Sequence, residues 1–124
     1  TSENRKRILI VDDDEFLLDI YKHKLTKEGY EVDVAKDAEE AFELLKKNKP
    51  DLIILDLIMP GMSGFDILEQ LKASTGLSKI PVIVLTNLGQ EEDKKRCLEL
   101  GVKEYYVKTA TSLEQVIKRI KEIA

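Results

Sequence analysis

A single cysteine, Cys97, is all the thiol in this 124-residue chain, so no intramolecular disulfide can form. That suits a reducing compartment. No apolar run approaches the ~20 residues that a membrane-spanning helix needs. No charged start leads into an apolar stretch as in a signal peptide, and a cytoplasmic location without membrane contact is expected. An excess of positive charge is lacking too. Twenty Lys and Arg stand against 24 Asp and Glu, giving a formal charge of −4 and a pI near 5.1. This argues against direct nucleic-acid binding, because a phosphate backbone demands a basic face. The densest basic cluster, Lys46, Lys47 and Lys49, reads as a solvated helix end. There is no linker, no low-complexity stretch and no repeat longer than one strand–helix unit. The chain opens with Thr1 and Ser2 rather than Met, so its ends need not be those of its gene.

Apolar residues make up 43% of the chain and charged residues of both signs 35%, enough for a core under a solvated surface. The length fits one domain over residues 1–124, with a core from about 7 to 123. Five short β-rich runs stand out: Ile8–Val11, Glu31–Val34, Leu52–Leu55, Val82–Leu85 and Glu104–Val107. Three are nearly continuous Ile, Leu and Val, as strands covered on both faces should be. A helical pattern follows each run. Ala38, Ala41, Phe42 and Leu45 fall at i, i+3, i+4 and i+7, and Leu113, Val116, Ile117 and Ile120 repeat that spacing. Asp37 with Glu40, and Ser112 with Gln115, have the spacing of capping boxes. Gly29 and Gly101 sit where the first and fourth helices should stop. The fourth helix offers mainly Cys97, Leu98 and Leu100 as apolar anchors, and weakly held elements are the ones available for switching. Such alternation predicts an α/β fold, a five-stranded parallel sheet with helices on both faces. Right-handed crossovers leave few topologies, of which the flavodoxin-like order 2-1-3-4-5 is the best fit.

In open sheets of this kind, ligands sit beyond the carboxyl ends of the strands, where the strand order reverses. The first strand runs into Asp12, Asp13 and Asp14, the third into Asp56, the fourth into Thr86 and the fifth into Lys108. Asp14 alone reads as a cap or surface acid. Two carboxylates ~4 Å apart repel by about 4 kcal/mol at an effective dielectric of ~20, and a third makes matters worse. The cluster becomes tolerable if a divalent cation and a basic side chain neutralise it. Asp12, Asp13 and Asp56 with Lys108 and one Mg²⁺ sum to zero charge. Mg²⁺ is preferred because it takes oxygen ligands and works beside phosphates, with Mn²⁺ as a substitute. No organic cofactor is expected. A carboxylate can attack phosphorus to give an acyl phosphate, and phosphoryl transfer needs positioning and charge neutralisation above all. Asp56 would attack, Lys108 would pair with a phosphoryl oxygen, and Thr86 would donate its hydroxyl.

With these residues in place, the chain resembles the response regulator receiver family of two-component signalling, including its chemotaxis members, over almost its whole length. The segments that carry the resemblance are ILIVDDDE at 8–15, LIILDLIMPGMSGFDIL at 52–68, IPVIVLT at 80–86 and GVKEYYVK at 101–108. The resemblance implies that Asp12 and Asp13 help hold Mg²⁺, that Asp56 is the phosphoacceptor, and that the backbone carbonyl of Ile58 is the third protein ligand. Thr86 and Lys108 match the switch hydroxyl and the phosphate-pairing lysine. Tyr105 matches the aromatic that turns inward on activation, with Tyr106 on the opposite face. The implied donor is a histidine kinase or phosphotransfer protein. The implied output is a partner protein or fused effector domain reached through the fourth helix, fifth strand and fifth helix, with a homodimer through that face as a further expectation. Such a domain assists its own phosphorylation and dephosphorylation but is not a turnover enzyme.

Three features bear on how closely the site follows the family pattern, the last at two variable positions. Thr109 follows Lys108 where proline in a cis peptide is usual, so this peptide is either trans or strained. Asn87 stands where a very small residue is preferred. Ile58 and Leu88 flank the phosphoryl position with apolar side chains that would slow hydrolysis. A phosphorylation-independent pseudo-receiver is the alternative those departures leave. An aspartyl-nucleophile phosphatase is disfavoured because Ile58 stands where such enzymes place a general acid. A flavin-binding relative is disfavoured because the first strand leads into acids instead of a phosphate-cradling loop. His23 reads as a surface residue and Cys97 as a small core residue. Met59 and Met62 are expected to pack the loop after Asp56, with Gly61 and Gly64 permitting its turns.

Overall fold

The computed structural model describes residues 5–124; residues 1–4, part of the expected domain span, lie outside the described residues. Five strands, β1 (Arg7–Val11), β2 (Glu31–Ala35), β3 (Leu52–Leu55), β4 (Val82–Thr86) and β5 (Glu104–Val107), form one sheet. All pairings are parallel and the order is β2-β1-β3-β4-β5, as the strand–helix alternation predicts. The connecting helices are α1 (Glu15–Lys27), α2 (Ala38–Lys47), α3 (Gly64–Ala73), α4 (Glu91–Glu99) and α5 (Leu113–Ile123).

The period of two in each strand divides the core. Ile8, Ile10, Leu52, Ile54, Ile83 and Leu85 point to one face and pack on Leu18, Tyr21 and Leu25 of α1 and on Val116, Ile117 and Ile120 of α5. Leu9, Val11, Ile53, Leu55, Val82 and Val84 point to the other, against α2, α3 and α4. Every residue of β3 and β4 is buried, which explains their unbroken apolar runs.

The helices start and stop largely where their caps require. Ser112 and Gln115 make a reciprocal capping box. Asp37 accepts from the Glu40 amide, but the Glu40 carboxylate reaches back to the Lys36 amide, one residue earlier than the box pattern. Gly29 and Gly101 end α1 and α4 at φ 97° and 88°, conformations that only glycine adopts without strain. α4 is the least anchored helix. Of its side chains only Cys97 is buried, and its N-cap residue Gln90 makes no capping bond. Leu98, expected as an anchor, is 48% exposed because it falls one position past Cys97 and so turns off the inward face.

Candidate functional site

The parallel register sets the site. Val11 lies opposite Leu55 and Ala35. The next residues continue that ladder, with the Asp12 amide donating to the Ala35 carbonyl and the Asp56 amide donating to the Val11 carbonyl, each at 3.0 Å. Two aspartates thus leave adjacent strands side by side at the point where strand order reverses. Asp12 and Asp56 are buried while Asp13 is exposed. One carboxylate oxygen from each of the three lies within 4.8 Å of the others. Asp14 stands apart as the N-cap of α1, accepting from the Phe16 and Leu17 amides.

Lys108 reaches this cluster from the end of β5. Its Nζ lies 2.8 Å from Asp12 Oδ2 and 3.0 Å from Asp56 Oδ2. Among the described residues every peptide is trans, so Lys108 makes both contacts with Thr109 following it in a short 3-10 turn, Lys108–Ala110. Burial pushes the Asp12 carboxyl above its ordinary range, and the Asp56 charge adds to that, while Lys108 and the Asp14 amide oppose it. Burial works against the Lys108 charge as well, yet its bonds to the two carboxylates outweigh this and hold it above the ordinary lysine value. One ammonium among three carboxylates leaves two negative charges over, the charge of one divalent cation. The donors are all hard carboxylate oxygens, so the residues fit Mg²⁺ or Mn²⁺.

The loop after Asp56 folds back on it. The Ile58 amide donates to Asp56 Oδ1 at 3.2 Å, and the Ile58 side chain is half exposed. Met59 is buried, as expected. Met62 is not; Gly61, at φ 80°, turns the chain outward and leaves Met62 37% exposed. Gly64 serves differently from the turn role expected of it. It opens α3 with its amide bonded to the Leu57 carbonyl, and its Cα lies against the Asp56 backbone where no side chain fits.

Thr86 ends β4 fully buried, its Oγ1 accepting from the Leu88 amide at 3.4 Å. Asn87 is exposed and Leu88 half-buried. Tyr105 lies inward, its hydroxyl donating to the Leu88 carbonyl. Sequence reasoning reserved that position for the phosphorylated form. The ring occupies it here because it packs on the apolar cluster beneath α4 while its hydroxyl finds a carbonyl partner. Leu88 thereby joins Thr86 to Tyr105 through its two backbone groups, a link no side-chain pattern could announce. Tyr106 packs on the opposite face, as strand alternation predicts. His23 is exposed, and Cys97 is buried with its thiol pushed up to about 11 by that burial.

A family model described as the response regulator receiver domain matches residues 8–121. Among curated proteins, the probable transcriptional regulator ycf27 of Cyanophora paradoxa is 40% identical over 105 residues, 85% of this chain and 43% of that protein. The alkaline phosphatase synthesis transcriptional regulatory protein PhoP of Bacillus subtilis is 37% identical over 118 residues, 95% of this chain and 48% of that protein. The chain thus spans about half the length of these curated relatives. Among solved structures, the receiver domain of non-phosphorylated HemR from Leptospira biflexa superposes with a TM-score of 0.88 at 33% identity, covering 96% of this chain and 94% of that one. The Vibrio cholerae chemotaxis protein CheY4 gives 0.88 at 28%, covering 97% and 99%.

Proposed function

This chain belongs to the response regulator receiver domain family, and from that premise we propose that it accepts a phosphoryl group on Asp56 and relays the event as a change of conformation. The observation that carries the reading is the convergence of Asp12, Asp13 and Asp56 within 4.8 Å, with Lys108 bonded to two of them. Asp12, Asp13, Asp56 and the Ile58 carbonyl would hold Mg²⁺, which when bound supplies charge neutralisation for the phosphoryl oxygens. Asp56 donates an oxygen lone pair to phosphorus. The bond from phosphorus to the donor breaks, and an acyl phosphate forms on the carboxylate. Lys108 then exchanges a carboxylate contact for a phosphoryl oxygen. The Thr86 hydroxyl accepts from Leu88, so its own proton is free to donate to the phosphoryl group.

The switch is a population shift toward whichever conformer contacts the new charge better. Thr86, Leu88 and Tyr105 form one bonded chain beside the weakly anchored α4, so a move of Thr86 would be felt at the α4–β5–α5 face. The proposed donor is a histidine kinase or phosphotransfer protein in the cytoplasm. The proposed output is a partner or fused effector domain on that face, with homodimerisation through it as one form. Two relatives carry names of transcriptional regulators and are about twice as long, which supports a linked output. The family is a signalling domain and not a turnover enzyme; self-assisted phosphorylation and dephosphorylation belong to the proposal.

Acetyl phosphate with Mg²⁺ should add one phosphoryl group to the wild type and none to Asp56→Asn, read by intact mass. Labelling of the mutant would move the acceptor elsewhere. A wild type that neither labels nor binds beryllofluoride would favour the pseudo-receiver.

A further inference from the structure

Three sulfur atoms occur in this chain, and their surroundings differ sharply. Cys97 is fully buried, and a thiol pushed up to about 11 holds almost no thiolate at neutral pH. Met59 is 8% exposed beneath the loop that follows Asp56. Met62, three residues on, is 37% exposed on the same loop and lines an open groove together with Phe42 of α2 and Pro60. Its Sδ accepts from Gln70 Nε2 of α3 at 3.5 Å.

We infer that Met62 is a peroxide-oxidised modification site whose sulfoxide alters the loop that carries Ile58 and Asp56. The step is balanced by the peroxide alone. A sulfur lone pair attacks one peroxide oxygen, an S–O bond forms and the O–O bond breaks. The departing hydroxide takes the second proton and leaves as water. The thioether is oxidised and the peroxide reduced, and a methionine sulfoxide reductase can reverse the change.

Oxidation acts on the sulfur in two ways. A sulfoxide oxygen accepts hydrogen bonds far better than a thioether, which strengthens the hold of Gln70. The side chain also becomes polar in a groove that it lines with Phe42 and Pro60. The loop has little slack to absorb this. Ser63, the next residue, caps α3 through the Asp66 amide, and Gly64 is bonded to the Leu57 carbonyl and pressed on the Asp56 backbone. A shift at Met62 therefore reaches Leu57 and Ile58. The effect on phosphoryl acceptance rests on the function proposed above; the site of oxidation does not.

The test is to treat the full chain with hydrogen peroxide at neutral pH and map the added oxygen by peptide mass. Met62 should gain one oxygen while Met59 and Cys97 stay unmodified. Backbone amide resonances of Leu57, Ile58 and Gly64 should shift in the oxidised wild type, stay put in peroxide-treated Met62→Leu, and return after reductase treatment. Early oxidation of Met59 or Cys97 would overturn the site, and shifts confined to Met62, Ser63 and Gln70 would overturn the coupling. Where the untreated chain labels with acetyl phosphate, its labelling rate should fall at least ~twofold on oxidation, and an unchanged rate would also overturn the coupling. A chain that never labels defeats the proposed function, while mass and resonances still decide this inference.

Discussion

Gly64 lies so close to Asp56 that a Cβ on it would stand 2.2 Å from the Asp56 carbonyl oxygen and 2.5 Å from the Leu57 Cα. Both neighbours are backbone, and neither can rotate away. The residue is helical rather than left-handed, so its glycine serves close approach and not a special φ. Gly64→Ala must push α3 off the loop or bend the strand end that carries Asp56. The expected cost is about 1–3 kcal/mol, seen as a lower urea midpoint with an unchanged slope. The phosphoryl acceptance proposed for Asp56 should slow in the same variant. A midpoint equal to wild type would mean that the contact relaxes freely.

Alkaline pH should weaken the fold from about pH 9 upward. Burial pushes Tyr21 and Tyr105 from 10.0 to about 12 and Cys97 from 9.0 to about 11. In the folded state these groups keep their protons; in the unfolded chain they lose them near their ordinary values. Their contribution is therefore complete below the unfolded pKa values and is lost as pH rises through the folded ones. Urea midpoints should fall between about pH 9 and 12, and tyrosinate absorbance should show two of the four tyrosines lagging most. Tyr30 and Tyr106 are raised as well, chiefly by burial. A midpoint flat to pH 11 would contradict the burial of these side chains.

Much of this site was legible because strands covered on both faces leave no ambiguity about where they end. An apolar run that stops at an acid, as at Val11–Asp12 and Leu55–Asp56, marks the sheet rim directly. The parallel order then brings the two rims together. Other features had no such signal. Met62 and Leu98 are apolar, but a turn at Gly61 and a helix with one buried residue leave both in solvent. The Lys108 contact with Asp12, and the link from Thr86 to Tyr105 through Leu88, depend on backbone paths that residue types do not encode. Asp14 could be read as either a surface acid or a cap, and only its bonds to the Phe16 and Leu17 amides decide the matter.

α4 should exchange its amide hydrogens faster than the other four helices. One buried side chain and an N-terminus without a capping bond leave little to oppose local opening. What holds its outer side is Arg96, whose guanidinium lies 4.2 Å from the centre of the Phe65 ring and bonds Glu69 at 3.4 Å. The ion pair is half exposed and contributes little, so the ring contact should dominate, at about 0.5–1 kcal/mol. Arg96→Ala should raise α4 exchange by roughly two- to fivefold and leave α1 unchanged. Glu69→Gln should have a smaller effect than Arg96→Ala. The reverse order would put the ion pair above the ring.

Asp56→Asn should stabilise the fold in chelator and abolish its response to magnesium. Without a cation, Asp12 and Asp56 share one ammonium, and each charge raises the cost of the other. The substituted amide keeps the shape of the carboxylate and removes that repulsion, so the mutant melts higher than wild type when the metal is stripped. Adding Mg²⁺ should reverse the order. Wild type should gain about 2.7 kcal/mol at a hundredfold excess over the dissociation constant, because only the folded chain gathers the three carboxylates. The mutant would lack one of the proposed ligands and should gain far less. Thermal melts in chelator and across a Mg²⁺ titration read both effects. Equal Mg²⁺ shifts in the two proteins would place the cation away from Asp56.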